Sequence, residues 1–104
     1  MRLRRDPFRE VVARQLDLFV EDEPELLEQC RERLRSYESA ARGDAEEAYG
    51  DFVDAVETAT EALAEMRDRF GRTLDEDAAE LYEESFNRAV RKRWPELGLE
   101  IGNR

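Results

Sequence analysis

One segment of this chain restricts its fold more than any other. Ala45, Tyr49, Phe52, Val56, Ala59, Leu63, Met66 and Phe70 follow one another at intervals of 4-3-4-3-4-3-4 residues. An α-helix turns once in about 3.6 residues, so this spacing gathers all eight side chains on one face. A strand, with its period of two, would scatter them over both faces. Such a seam suits helices packed side by side with interlocking side chains. Ala48, Val53, Ala55 and Ala62 widen it, which predicts more than one neighbour. Gly50 costs about 1 kcal/mol relative to alanine inside a helix. It marks either a frayed start or a close backbone approach.

The flanking segments carry the same signal with clear punctuation. Asp6-Pro7 reads as a helix start, because aspartate caps free amides and proline is preset for the first turn. Phe8, Val12, Leu16 and Phe19 follow at helical spacing, until Glu21-Asp22-Glu23-Pro24 interrupts. The residue before a proline resists helical angles, so a second helix begins near Pro24. Its stripe is Leu27, Cys30, Leu34, Tyr37 and Ala41, with Gly43 as the stop and Asp44 as the next cap. Gly71 ends the third helix, and Thr73-Leu74-Asp75-Glu76 has the form of a capping box. A fourth helix runs to about Arg93, with Ala78, Leu81, Tyr82, Phe86, Ala89 and Val90 inward, and Pro95 closes it.

Short connections favour antiparallel neighbours. The expected fold is therefore all-α, a single domain over residues 1–104 built as an antiparallel up-down bundle of four helices. The alternative joins the first two helices into one kinked rod, giving three long helices completed by dimerisation. Residues 1–5 and 96–104 are candidate flexible tails. In the second of these, Leu97, Leu99 and Ile101 alternate with polar residues or glycine, so it either packs back or extends across another subunit.

Charge is unevenly spread. The net charge is −10, yet residues 1–14 and 88–104 each carry +3, leaving −16 for residues 15–87. The acidic excess argues against direct binding to a nucleic-acid backbone, which requires lysine and arginine to displace counterions. The second and fourth helices put acids early and bases late, as the helix dipole favours. Glu38 with Arg42, Glu65 with Arg69 and Glu84 with Arg88 are spaced as stabilising pairs. The first helix does the reverse, with Arg4, Arg5 and Arg9 at its start and Glu21 and Asp22 at its end. Its arginines are expected to meet an acidic surface, either the chain's own or a partner's. Glu47, Asp51, Asp54, Glu61, Glu65 and Asp68 form an acidic ridge on the third helix, opposite its seam.

Little in the sequence points to catalysis. There is no histidine, which removes Ser-His-Asp and Cys-His nucleophile pairs. The five glycines are isolated, so no phosphate-binding loop is built. Asp75-Glu76-Asp77 lacks the alternation and central glycine of a calcium loop and reads as a helix-start cluster. Cys30, the single cysteine, lies in an apolar stripe and is expected in the core rather than as a reactive thiol. Tyr37, Tyr49 and Tyr82 are expected at core edges, where they would also be placed to rim a ligand pocket. Trp94 is either a cap over the core or an anchor on a partner. No cofactor or metal is expected. No apolar run is long enough to span a bilayer, and a cytoplasmic location is the default.

The expectation is a non-catalytic interaction or scaffold module, bound to itself or to a partner protein. Its core or interface stripe is Tyr49, Phe52, Val56, Leu63, Met66 and Phe70, and its candidate partner surface is Arg5, Arg9 and Trp94. The alternatives are a small-molecule-binding regulatory domain, a carboxylate-based enzyme, and an acidic nucleic-acid mimic or partner of a basic protein.

Overall fold

The computed structural model describes residues 5–104, all of whose regular structure is helical. Arg4 of the arginine-rich start and the rest of residues 1–4 lie outside the described residues. Helix α1 spans Arg9–Asp22, α2 Pro24–Glu38, α3 Ala45–Gly71, α4 Glu76–Arg93 and the short α5 Gly98–Gly102. A 3₁₀ turn, Arg42–Asp44, precedes α3, and another, Pro95–Leu97, precedes α5.

The break between α1 and α2 is a single residue. Glu23 adopts φ −128° and ψ 51°, while its N–H still bonds to the Phe19 carbonyl at 2.8 Å. Pro24 accounts for this, because it disfavours helical angles in the residue before it. One residue is too short to reverse the chain, and the contacts show that it does not. Helix α2 runs antiparallel to α3, with the Cys30 thiol donating to the Ala55 carbonyl and the Tyr37 ring meeting the Tyr49 ring. Helix α4 is also antiparallel to α3, since Arg67 reaches Asn87 and Phe70 meets Tyr82. Helix α1 is parallel to α4: Asp6 reaches Ser85 and Arg88, and Asp17 reaches Arg93. Helices α1, α2 and α4 thus all oppose α3. An up-down-up-down order would instead set α1 against α4 in opposite directions, and the missing reversal at Glu23 is what prevents it.

Several helix ends differ from expectation for local reasons. Helix α2 stops at Glu38, before Gly43, where the Ser39 hydroxyl donates to the Arg35 carbonyl and competes with the backbone ladder. Asp44 precedes α3 but makes no capping bond with its side chain. At α4 the cap is Asp75, which accepts from the Ala78 N–H at 2.9 Å, while Thr73 turns back to the Phe70 carbonyl. The Thr73–Glu76 capping box is therefore displaced by two residues. Asp6 accepts from the Phe8 N–H at 2.9 Å, anchoring the start of α1. A Cβ on Gly50 would meet nothing within 4 Å, so no backbone approaches it.

The tail packs back onto the bundle. Pro95 turns the chain, and Leu97 and Ile101, four residues apart, enter the core. Leu99 points outward, so a pattern resembling strand alternation is resolved as one helical face. Gly98 is required by this return: a Cβ there would lie 2.9 Å from Arg91 Cγ. Around these residues Val12, Leu16, Phe19, Leu63, Tyr82, Phe86 and Val90 complete one continuous core.

That core does not run the length of the molecule. Between Arg31 and Asp54 no residue is buried. The outer half of α2 and the first third of α3 form a two-helix arm projecting from the body. The dimensions agree: the Cα radius of gyration is 15.7 Å and the long axis 51 Å, against about 13 Å expected for a compact 100-residue domain.

Candidate functional site

Helix α3 is long enough, at 27 residues and roughly 1.5 Å each, to pass from the body into the arm. Residues seven apart lie nearly above one another, so its exposure can be compared at constant orientation. Val56, Ala59 and Thr60 are buried. Their counterparts seven residues earlier are Tyr49, which is 50% exposed, and Phe52 and Val53, which are half-buried. The face is the same and only its cover has gone.

The predicted stripe therefore divides. Val56 and Leu63 belong to the core, and Met66 and Phe70 are half-buried, Phe70 packing on Tyr82 with centroids 4.7 Å apart. Phe52, also half-buried, packs at the edge of the core, and Tyr49 is left on the arm. Tyr49 pairs with Tyr37 across the hairpin at 5.2 Å, and both rings remain exposed. Tyr82, in contrast, is buried and donates to Gln15 Oε1 at 2.7 Å. Its burial pushes the phenol up to about 12. Leu34, Ala45 and Ala48 complete a half-covered apolar surface on the arm.

A second feature is centred on a buried arginine. Arg67 is 1% exposed and ties three helices together. Its guanidinium donates to Asp68 Oδ1 at 2.9 Å, Asn87 Oδ1 at 3.0 Å and the Ile101 carbonyl at 3.2 Å, with Glu83 at 3.7 Å. In the run Met66-Arg67-Asp68-Arg69 it reads as one more surface charge. The available signal was its position four residues after Leu63, on the seam. This cluster fastens α5 to α3 and α4. Asp68 and Glu83 themselves face solvent.

A third feature lies where α1 begins. Because α1 and α4 run parallel, Arg5 and Arg9 fall beside Arg88 and Lys92, with Asp6 and Glu84 as the acids in the same lining. Asp6 sits among them, accepting from the Ser85 hydroxyl at 2.6 Å and pairing with Arg88 at 3.3 Å. Burial opposes ionisation of Asp6. The bonds from Ser85 and the Phe8 amide, with the charges of Arg88 and Arg9, outweigh it and hold the carboxyl below its usual range. Glu84 and Arg88 do not pair, and neither do Glu38 and Arg42 or Glu65 and Arg69; Glu28 instead gathers Arg31 and Arg35.

The remaining candidates are plainly placed. Trp94 is only 7% exposed, edge-on to Phe19 with Arg93 over its ring, and so caps the core. Cys30 is buried, and burial together with Glu96 pushes its thiol up, away from the reactive thiolate. A trough of about 530 Å³ at the α1–α2 break is lined by Asp17, Val20, Leu27, Arg31, Arg93 and Trp94. It is open to solvent and none of the tyrosines lines it. Among the described residues, no group of three metal-ligating side chains converges, and no helix is long and apolar enough to cross a membrane. Comparisons with protein-family models, with curated proteins and with solved structures find no match.

Proposed function

We propose that the protein is a non-catalytic interaction module that docks, to a second copy or to another protein, through the apolar face of the α2–α3 arm. One observation carries this reading: the α3 face that is sealed at Ala59 and Leu63 is only half-covered at Phe52 and open at Tyr49. An isolated pair of helices buries only part of its stripe, and a third or fourth helix normally covers the rest. Tyrosine and phenylalanine at such a seam supply large contact area with little loss of side-chain freedom. A dimer in which two arms form a four-helix bundle would complete the kinked-rod arrangement.

Sedimentation over a wide concentration range tests self-association directly. Expected is a concentration-dependent dimer that is weakened about tenfold or more by Tyr49→Glu with Phe52→Glu, while the helical signal and melting of the body persist. A monomer at the highest concentration, unaffected by those substitutions, would remove the self-association form of the proposal.

A further inference from the structure

The arginine-rich start of α1 and the basic end of α4 are remote in sequence, yet the parallel α1–α4 packing merges them into one surface. Arg5, Arg9, Arg88 and Lys92 border two adjoining depressions of about 260 and 320 Å³ that share Asp6 and Arg88. Several bases elsewhere are paired within the chain: Arg31 and Arg35 on Glu28, Arg93 on Asp17, Arg104 on Glu100. On this surface only Arg88 is, with Asp6. Asp6 is already committed to Ser85, the Phe8 amide and Arg88. Among the described residues, Arg5, Arg9 and Lys92 form no ion pair. Asp6 and Glu84 are the acids in this lining against four cations, so the surface keeps a net charge of +2 in a chain of charge −10.

Apolar side chains share the lining with these charges. Pro7 and Leu81 line the first depression, Val12 and Ala89 the second, and Leu81 is 44% exposed. From Leu81 to Lys92 the groove follows α4 for roughly 17 Å, about three turns of a helix. We infer that this groove docks a short acidic amphipathic helix of another protein, its carboxylates between Arg9, Arg88 and Lys92 and its apolar face on Pro7 and Leu81. The length of the basic stretch decides between a short acidic segment and a nucleic acid. Glu76, Asp77 and Glu80 continue the line of α4 beyond Leu81, so a phosphate chain would run from cations into carboxylates, whereas three turns of peptide end before them. This inference is independent of the arm, which lies on other elements.

Fluorescence anisotropy provides the test, with the full chain titrated into a labelled helical peptide of Glu and Leu at i, i+3 and i+4 spacing. Expected is saturable binding that weakens as salt rises, because the contact is electrostatic and partly exposed. Arg9→Glu with Lys92→Glu should weaken it about tenfold or more, and Arg33→Glu, on the arm, should leave it unchanged. Circular dichroism melting of each variant separates loss of the groove from loss of the fold, and the milder Arg9→Gln should weaken binding in part. Three results would overturn the inference: equal binding of a peptide with Lys in place of Glu, tighter binding of a single-stranded oligonucleotide, or self-association abolished by the same groove substitutions.

Discussion

The body and the arm are built from the same helix with the same spacing, yet they differ in everything that follows. In the body, Ala59 and Leu63 are sealed by α1, α2, α4 and the returning tail as one core. In the arm, Tyr49 meets the Tyr37 ring of α2 and stays half exposed, and Phe52, half-buried, packs at the edge of the core. A 4-3 repeat specifies a face; what covers that face depends on where other elements end. The tail turned by Pro95 brings Leu97 into the core, with Glu96 close enough to influence Cys30, and beyond Cys30 and Ala55 the chain has nothing left to place on the seam. The sharpest way to break this comparison is to truncate both regions of one helix. Leu63→Ala should destabilise the protein by about 2–5 kcal/mol, since a fully buried leucine leaves a cavity. Tyr49→Ala should cost under about 1 kcal/mol, as expected of an exposed site. Urea unfolding of both variants at a concentration where the chain is monomeric measures the contrast. Equal costs would mean that the arm shares the core of the body.

The body is also fastened by a polar knot that the arm lacks. Arg67 joins α3 to Asn87 of α4 and to the Ile101 carbonyl of α5. Arg67→Ala should cost about 2–4 kcal/mol, combining a cavity with the loss of bonds to a buried carbonyl. Arg67→Met should cost under about 1.5 kcal/mol, because it restores the volume and leaves no buried charge unpaired: Asp68 and Glu83 are exposed and stay hydrated. Unfolding midpoints of the two variants decide the matter. Equal losses would show that the hydrogen bonds, rather than the filled volume, hold α5 in place.

How much of this was legible in the sequence follows from which forces are local. Pro24, Gly71 and Pro95 announce their breaks because they act through their own backbone. The seam of α3 is legible because it needs only a period. The direction of α1 was not, since a one-residue break and a tight reversal look alike as punctuation. The basic groove is hidden with it, since it exists only because α1 lies parallel to α4. Arg67 was concealed by composition, because a buried arginine is recognisable only once Asn87 and Ile101 are known to surround it. Ser39 and Asp75 shifted two helix ends by competing locally for backbone groups, a contest between adjacent candidates that sequence alone leaves tied.

The smallest effect concerns the edge of the body, where Asp6 pins the start of α1 to α4. Its folded pKa lies below the ordinary value of 3.8, so its contribution to stability is present above about pH 3.8 and is lost as pH falls through the folded value. Asp6→Asn keeps the shape of the side chain but removes the charge that Arg88 and Ser85 satisfy. It should therefore cost about 1 kcal/mol at neutral pH, and the difference from the parent should shrink toward zero in acid, where Asp6 itself becomes neutral. Urea unfolding of both proteins at neutral and acid pH reads this out. A difference that persists unchanged in acid would assign the effect to hydrogen-bond geometry instead of charge. The same variant removes one acid from the basic groove without touching the arm. It should tighten the acidic peptide slightly while leaving sedimentation unaltered, which separates the two surfaces with a single atom exchange.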